Sequence, residues 1–253
     1  MRISEIKQNA RTLLQGYSRK SGVLVLVLFL ISTLPPYLVD VALSGGFQNW
    51  ANQTDSSPLS YFFQMIYAML LFPMNIASMW FFLELIREQD PKISILFTIY
   101  NNGKRVLKLI WVNIFMAILL FLWFLLLIIP GIIKAFSYSQ VFYILYDHPE
   151  YSASKAIKES KKLMNGHKWK LFLLGLSFIG WCLLTSVPVI AGIIVFAIFY
   201  AIGIKILAFL FLAVGSVGSI WMYLWLIPYI STSMATFYEW LIRNNQTGIN
   251  DAE

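Results

Sequence analysis

The chain has 253 residues, of which 59% are hydrophobic and only 12% are charged, and its mean hydropathy is +0.71. A soluble domain carries about twice that charged fraction, and it could not hide this much apolar surface from water. The net charge of +7 does not indicate nucleic-acid binding, because the basic residues flank long apolar runs and attraction to anionic lipid headgroups explains them. Composition therefore predicts an integral membrane protein.

Nearly all of the positive charge lies in a few places that the apolar runs separate. Of the 19 Lys and Arg residues, five fall within residues 1–20, five within 87–108, six within 155–170 and one near the C-terminus. Basic segments next to membrane spans are concentrated on the cytoplasmic side. Six spans with both termini inside then leave only Lys134 and Lys205 outside, and we expect a cell-membrane protein of that topology.

Residues 1–20 have the pattern of a cytoplasmic amphipathic helix. Apolar residues recur at helical spacing and basic residues occupy the other side: Ile3, Ile6, Ala10, Leu13, Leu14 and Tyr17 against Arg2, Lys7, Arg11 and Arg19. Such a helix lies either on the inner membrane surface or against the protein's own loops.

The first span is predicted at 22–43, where Pro35 and Pro36 should kink or end its regular part because proline lacks a backbone donor.

Five more spans are predicted from apolar runs: 60–86, 107–130, 132–147, 169–202 and 206–242. About 20 residues cross a bilayer, so the last two are longer than a straight span needs. The fourth is short, but the basic segment after it requires the chain to return inside. Pro130-Gly131 separates the third span from the fourth, and the last two divide near Gly203.

Short cytoplasmic helices are predicted at 93–100 and 152–166. In the second, Ser152 or Ser154 is suited to cap the start and Gly166 to end it. The sequence thus predicts an all-α integral membrane helical bundle of one domain, residues 1–253, with about six transmembrane helices plus amphipathic cytoplasmic helices.

Two carboxylates lie near the inner ends of predicted spans. Glu84 and Glu239 could be gating or ion-coupling groups, since ionisable residues in a membrane are often functional. The alternative, which we favour, is pairing at the interface: Glu84 with Arg87 at i+3, and Glu239 with Arg243 at i+4.

Polar residues also mark the fourth span. Lys134 follows the Pro-Gly break at the outer face, where it either binds an anionic substrate or lipid or simply extends to water. Ser137 and Gln140 interrupt the apolar run, so we expect them to face other helices.

Other chemistry finds little support in the sequence. His148, Glu150 and His167 flank one cytoplasmic segment, but their spacing is not that of a metal site. No nucleophile elbow, phosphate-binding loop or dinucleotide fingerprint occurs. We therefore expect no catalytic, cofactor-binding or metal-binding residues and no cofactor.

The segment from Ile128 to Trp181 carries a family resemblance. Its motifs, together with two near the C-terminus, read Ile129-Pro130-Gly131-Ile132-Ile133-Lys134, Ser137-Tyr138-Ser139, Asp147-His148-Pro149, Ser160-Lys161-Lys162-Leu163-Met164, Gly166-His167-Lys168, Pro228-Tyr229 and Phe237-Tyr238-Glu239. They resemble the domain of unknown function 975 family of bacterial multi-pass membrane proteins over nearly the whole chain. The resemblance implies six helices in the plasma membrane of a Gram-positive bacterium. It also implies a distant likeness to membrane domains of some glycerophosphodiester phosphodiesterases, without their catalytic barrel. The family has no established activity from which site residues could be transferred.

Two functions remain open. The first is a non-enzymatic scaffold or accessory protein that acts with a membrane-protein partner or with envelope lipids, including anionic lipids of the inner leaflet. The second is a transporter or permease for a small amphiphile, peptide or lipid, which the proline-broken spans favour. An enzyme acting on lipid headgroups ranks below both.

Overall fold

The computed structural model describes residues 2–52 and 55–250, with side chains to residue 246. Residues 1, 53–54 and 251–253 of the predicted domain lie outside the described residues. All regular structure within the described ranges is helical: α1 (Ile3–Leu43), α2 (Phe47–Asn52), α3 (Pro58–Ile86), α4 (Ile95–Thr98), a 3-10 turn (Ile99–Asn101), α5 (Gly103–Leu126), α6 (Ile128–Tyr138), α7 (Val141–Asp147), α8 (Ala153–Leu163), α9 (Lys168–Ala201) and α10 (Lys205–Asn250).

Six helical segments among the described residues are long and apolar enough to cross a membrane. They are α1, α3, α5, the consecutive pair α6 and α7 (Ile128–Asp147), α9 and α10. The all-α membrane bundle with six such helices is therefore confirmed. The proposed turn between the last two is also confirmed, since Gly203 ends the connection with φ of +85°, a value that favours glycine.

The N-terminal segment is not a separate helix, contrary to the prediction. It is the first half of α1, which runs unbroken through 41 residues, or about 62 Å at 1.5 Å per residue. Ile6 and Ala10 are fully buried in a cluster with residues of α9 and α10. Packing on the protein's own helices thus accounts for the apolar side of this segment, and nothing between residues 16 and 22 interrupts the helix.

Helix α1 also does not end at Pro35 and Pro36. A proline at position 35 leaves the carbonyl of Ile31 without its usual helical donor. The hydroxyl of Tyr67 on α3 donates a hydrogen bond to that carbonyl. A neighbouring helix therefore supplies the missing bond, and α1 continues to Leu43.

The boundary between the third and fourth spans lies at Leu127, earlier than predicted. Leu127 is extended, with φ of −161° and ψ of 141°, and α6 begins at the next residue. Pro130 therefore lies in the first turn of α6, where a missing N–H removes no helical hydrogen bond. A Cβ at Gly131 would lie 2.6 Å from the ring of Phe124, so glycine lets α6 fold back closely on α5.

Short helices form near both predicted positions. Helix α8 is Ala153–Leu163, and the side chain of Ser152 accepts a hydrogen bond from the backbone N–H of Lys155 at its start. Gly166 follows with φ of +76°. The other segment is shorter than predicted, because α4 has only one turn before the 3-10 turn.

Helix α3 and the pair α6–α7 form the centre of the bundle. In their most apolar 18-residue stretches 44% and 50% of residues are buried, against 11% in α1 and 6% in α9. Trp80 of α3 donates its indole N–H to the carbonyl of Phe142 in α7 at 2.9 Å. The outer helices therefore present most of their surface away from the protein.

Helices α9 and α10 cross with almost no side chain between them. A Cβ at Gly215 would lie 2.5 Å from the carbonyl oxygen of Pro188 and 3.0 Å from the Cα of Gly192. Close beside this crossing the N–H of Val189 donates to Ser219 Oγ at 3.1 Å. The backbones approach this closely because glycines occupy the contact.

Gly215→Ala should separate the two helices and lower the stability of the protein by about 1–3 kcal/mol, as expected for overpacking. Gly180→Ala on α9 is the matched control, because a Cβ there meets nothing within 4 Å. Thermal unfolding in detergent measures both. An equal midpoint for the two variants would show that the crossing tolerates a methyl group.

Candidate functional site

An ionic cluster joins three helices at one end of the bundle. Arg87 is the residue that ends α3. Its Nη1 and Nη2 atoms donate to Asp147 Oδ1 at 2.6 Å and Oδ2 at 2.9 Å, at the end of α7. Its Nε donates to Glu239 Oε2 of α10 at 3.1 Å. One guanidinium thus uses its planar set of donors to fix α3, α7 and α10 relative to one another.

Tyrosine hydroxyls complete the cluster. Tyr238 donates to Asp147 Oδ2 at 2.8 Å, and Tyr146 donates to Glu84 Oε1 at 2.7 Å. The ring of Tyr238 also stacks on that of Tyr143, with centroids 5.0 Å apart. The carboxylates therefore receive both charged and neutral donors, as partly buried acids require.

The cluster is largely shielded from solvent. The side chains of Arg87, Asp147 and Glu239 are 24%, 19% and 17% exposed. The hydrogen bonds with Asp147 raise the pKa of the Arg87 guanidinium above its ordinary value. Arg87 therefore stays charged and paired, which makes the cluster a structural clamp.

The two predicted carboxylate pairs have different outcomes. Glu84 does not pair with Arg87; it accepts from Tyr146 instead, because Arg87 turns toward Asp147. Glu239 does pair with Arg243, with Arg243 Nε 3.8 Å from Glu239 Oε1. The shorter contact of Glu239 is nevertheless with Arg87.

The polar residues of the fourth span lie at the junction of α6 and α7. Ser137 and Gln140 are buried, and Ser160 of α8 reaches both. Ser160 Oγ donates to the carbonyl of Ser137 at 2.8 Å and accepts from the backbone N–H of Gln140 at 3.3 Å. Ser160 thus joins α8 to the backbone at this junction, whereas the side chains bond locally: Ser137 Oγ donates to the carbonyl of Ile133, and Gln140 Nε2 donates to Ser139 Oγ. Lys134 places its ammonium 4.5 Å from the ring centroid of Trp123 on α5.

Two of the three residues considered for a metal site pair with each other, and the third has a different partner. His148 Nδ1 lies 3.2 Å from Glu150 Oε1. His167 instead packs edge-on against Trp240, with ring centroids 5.0 Å apart. Burial lowers the pKa of His167 below its ordinary value, and the charge of Lys170 acts in the same direction.

A cavity of about 600 Å³ lies between α1, α3, α9 and α10, and we refer to it as the mid-span groove. Its lining comes from the central parts of four apolar helices: Val25, Leu28, Phe29, Ser32, Thr33, Asn75, Ser78, Phe82, Thr185, Ser219, Ile220, Tyr223 and Ile227. Ser32, Asn75 and Tyr223 are exposed, so the groove opens on the surface of the bundle.

The walls of the mid-span groove combine apolar side chains with hydroxyl and amide groups. Ser32 and Thr33 donate their own hydrogens to the carbonyl of Phe29, and Ser78 donates to that of Asn75. Their oxygen lone pairs remain available as acceptors. No acidic or basic side chain lines the groove, so its chemistry suits an uncharged polar group attached to hydrocarbon.

Sequence reasoning missed Asp147, Tyr238 and Asn75 as site residues. Asp147 carried one usable signal, because it ends a predicted span on the same side of the membrane as Arg87. Asn75 carried another, as an amide inside an apolar run. Neither signal identifies a partner, since Arg87 and Asp147 are 60 residues apart.

Comparison with known proteins supports the resemblance stated above. The family model described as protein of unknown function (DUF975) matches residues 123–245. The resemblance is thereby confirmed for this half of the chain, which contains all of the motifs that indicated it. The match begins within α5 and is shorter than the nearly whole-chain resemblance that we expected. No curated protein and no solved structure matches the chain.

Arg87→Met should destabilise the protein by about 3 kcal/mol, because Asp147 and Glu239 would remain partly buried without their cation. Lys20→Met is the control: it breaks the Lys20–Asp90 pair, whose side chains are 47% and 68% exposed. An exposed pair contributes roughly 1 kcal/mol or less. Denaturation in mild detergent measures the difference, and equal losses would contradict a clamp at Arg87.

Proposed function

We propose that this chain is a non-enzymatic accessory protein of a bacterial plasma membrane that binds an envelope lipid in the mid-span groove. The observation that carries the proposal is the groove itself. Hydroxyl and amide groups line it at the centre of four apolar helices, where polar groups are uncommon and often functional. Ser32 and Ser78 already donate their hydroxyl hydrogens to helix carbonyls, so their oxygen lone pairs are left to accept hydrogen bonds from a polar ligand.

The surroundings of the mid-span groove suit a hydrocarbon chain. Tyr223 on its lining is 47% exposed, and Leu30 and Trp221 on the same helices are 40% and 76% exposed. An acyl chain could therefore leave the groove past exposed apolar side chains of α1 and α10. The polar part of the ligand would remain inside, beside Asn75 and Ser78.

The chemistry of the lining selects the lipid class. A phosphate or ammonium group in a site without a counter-charge would lose hydration that nothing replaces. A hydroxyl group loses far less and can donate to the free lone pairs of the lining. We therefore expect an uncharged lipid alcohol of the diacylglycerol type.

A permease for a small amphiphile is the second candidate. It is favoured by Pro188 inside α9, beside which the N–H of Val189 donates to Ser219 of α10. Helices interrupted by proline often line transport sites. Reconstituted vesicles with a fluorescent diacylglycerol in one leaflet would separate the candidates, because only a permease would speed its transfer to the other leaflet.

Ser32→Phe should fill the mid-span groove and weaken binding of a fluorescent diacylglycerol by about tenfold or more, since the ring occupies the volume of the ligand. Leu34→Phe is the matched control, because Leu34 lies on the same helix, is 52% exposed and does not line the groove. Binding is titrated in detergent micelles with the purified chain. Equal affinity in the two variants would contradict the proposal.

The proposed orientation places both termini and α8 in the cytoplasm and the turn before Lys205 outside. In a Cys182→Ser background, a membrane-impermeant maleimide should label Lys205→Cys in intact cells and label Ser154→Cys only after lysis. We expect this labelling pattern because the segment around residue 154 is rich in lysine, and basic segments next to membrane spans are concentrated on the cytoplasmic side. The reverse pattern would invert the topology.

A further inference from the structure

We infer that α1 and α10 form a second binding site, which takes the phosphate headgroup of an anionic phospholipid at Arg11. The site is a cleft of about 320 Å³, here called the Arg11 cleft. It is lined by Arg11, Leu14, Gln15, Ser18, Leu224, Trp225, Pro228 and Tyr229. None of these residues lines the mid-span groove, so the two sites are physically separate and the inference goes beyond the proposed function.

The two walls of the Arg11 cleft differ in chemistry. Arg11, Gln15 and Ser18 lie at i, i+4 and i+7 of α1 and therefore share one face of that helix. The opposite wall is apolar and aromatic, and Trp225 packs on Tyr229 there with centroids 5.8 Å apart. A polar headgroup fits the first wall, and the start of an acyl chain fits the second.

Lys7 adds a second positive charge one helical turn before Arg11. Its ammonium donates to the carbonyl and the hydroxyl of Ser177 on α9, both at 3.2 Å. It also lies 4.5 Å from the ring centroid of Phe178 and 5.9 Å from that of Tyr229. All of these partners are neutral, so the charge of Lys7 is not cancelled within the protein.

Two basic residues elsewhere in the bundle have their charge compensated by carboxylates. Lys20 on the same helix pairs with Asp90, and Arg87 pairs with two carboxylates. No ion pair with Arg11 occurs among the described residues, and no acidic side chain lines its cleft. Two uncompensated cations next to an apolar wall attract an anion that carries hydrocarbon.

A phosphodiester satisfies both requirements. The guanidinium of Arg11 can donate two parallel hydrogen bonds to phosphate oxygens, and Gln15 and Ser18 can donate to the others. The hydrocarbon of the same molecule covers Leu224 and Pro228. Free phosphate would satisfy only the polar wall, so the combination selects an anionic phospholipid.

The full chain, purified in neutral detergent, tests the site by native mass spectrometry with added dioleoyl phosphatidylglycerol. Arg11→Gln should weaken binding of this lipid about tenfold, in line with loss of one charge-assisted hydrogen-bonded contact. Arg11→Lys should retain part of the binding. Arg19→Gln, an exposed position on the same helix outside the cleft, should bind as the unmodified chain does.

Three results would overturn the inference. The first is retention of dioleoyl phosphatidylcholine, which has the same chains without net charge, equal to that of the phosphatidylglycerol. The second is displacement of the bound lipid by millimolar inorganic phosphate. The third is a loss of binding in Arg19→Gln equal to that in Arg11→Gln. Ser32→Phe separates this site from the mid-span groove, since it should leave phosphatidylglycerol binding unchanged. Failure of one site would therefore not be mistaken for failure of the other.

Discussion

Every backbone polar group within the apolar spans must find its hydrogen bond inside the protein, because a bilayer core offers no water. Four of the long helices contain proline and so leave groups without their helical partner. Tyr67 of α3 donates to the carbonyl of Ile31, which Pro35 leaves without its helical donor, and the N–H of Val189 beside Pro188 donates to Ser219 of α10. These bonds link α1 to α3 and α9 to α10 next to prolines. They also fix which helices are neighbours, so the pairing of α1 with α3 and of α9 with α10 follows from the same requirement.

Helix α10 is held at two points by different kinds of contact. Toward its C-terminal end Glu239 and Tyr238 belong to the clamp centred on Arg87. Nearer its beginning, Gly215 lies directly against the backbone of α9. Ser219 and Tyr223 lie between these points, and both line the mid-span groove. The polar lining is thus carried by a stretch of helix whose two ends are fixed, which holds the groove open without charged residues in its walls.

Residue patterns predict the periodic features of this fold and miss those that depend on a distant partner. Apolar runs and basic flanks locate the spans, and Gly203 marks the last turn, because each is a local property of the chain. The continuity of α1 was missed because burial of Ile6 depends on α9 and α10. The partner of Glu84 was assigned by i+3 spacing, yet Tyr146 is 62 positions away. The Arg11 cleft likewise combines residues more than 200 positions apart, so no local pattern describes it.

The unbroken length of α1 has a geometric consequence. One rigid helix lines the Arg11 cleft with its first half and the mid-span groove with its second. Between them Leu24 and Val25 are almost fully buried in the core that contains α3. The helix therefore sets the separation of the two sites along its axis. Arg11 and Ser32 are 21 residues apart, or about 32 Å at 1.5 Å per residue, so ligands in the cleft and in the groove would lie at different depths of the bundle.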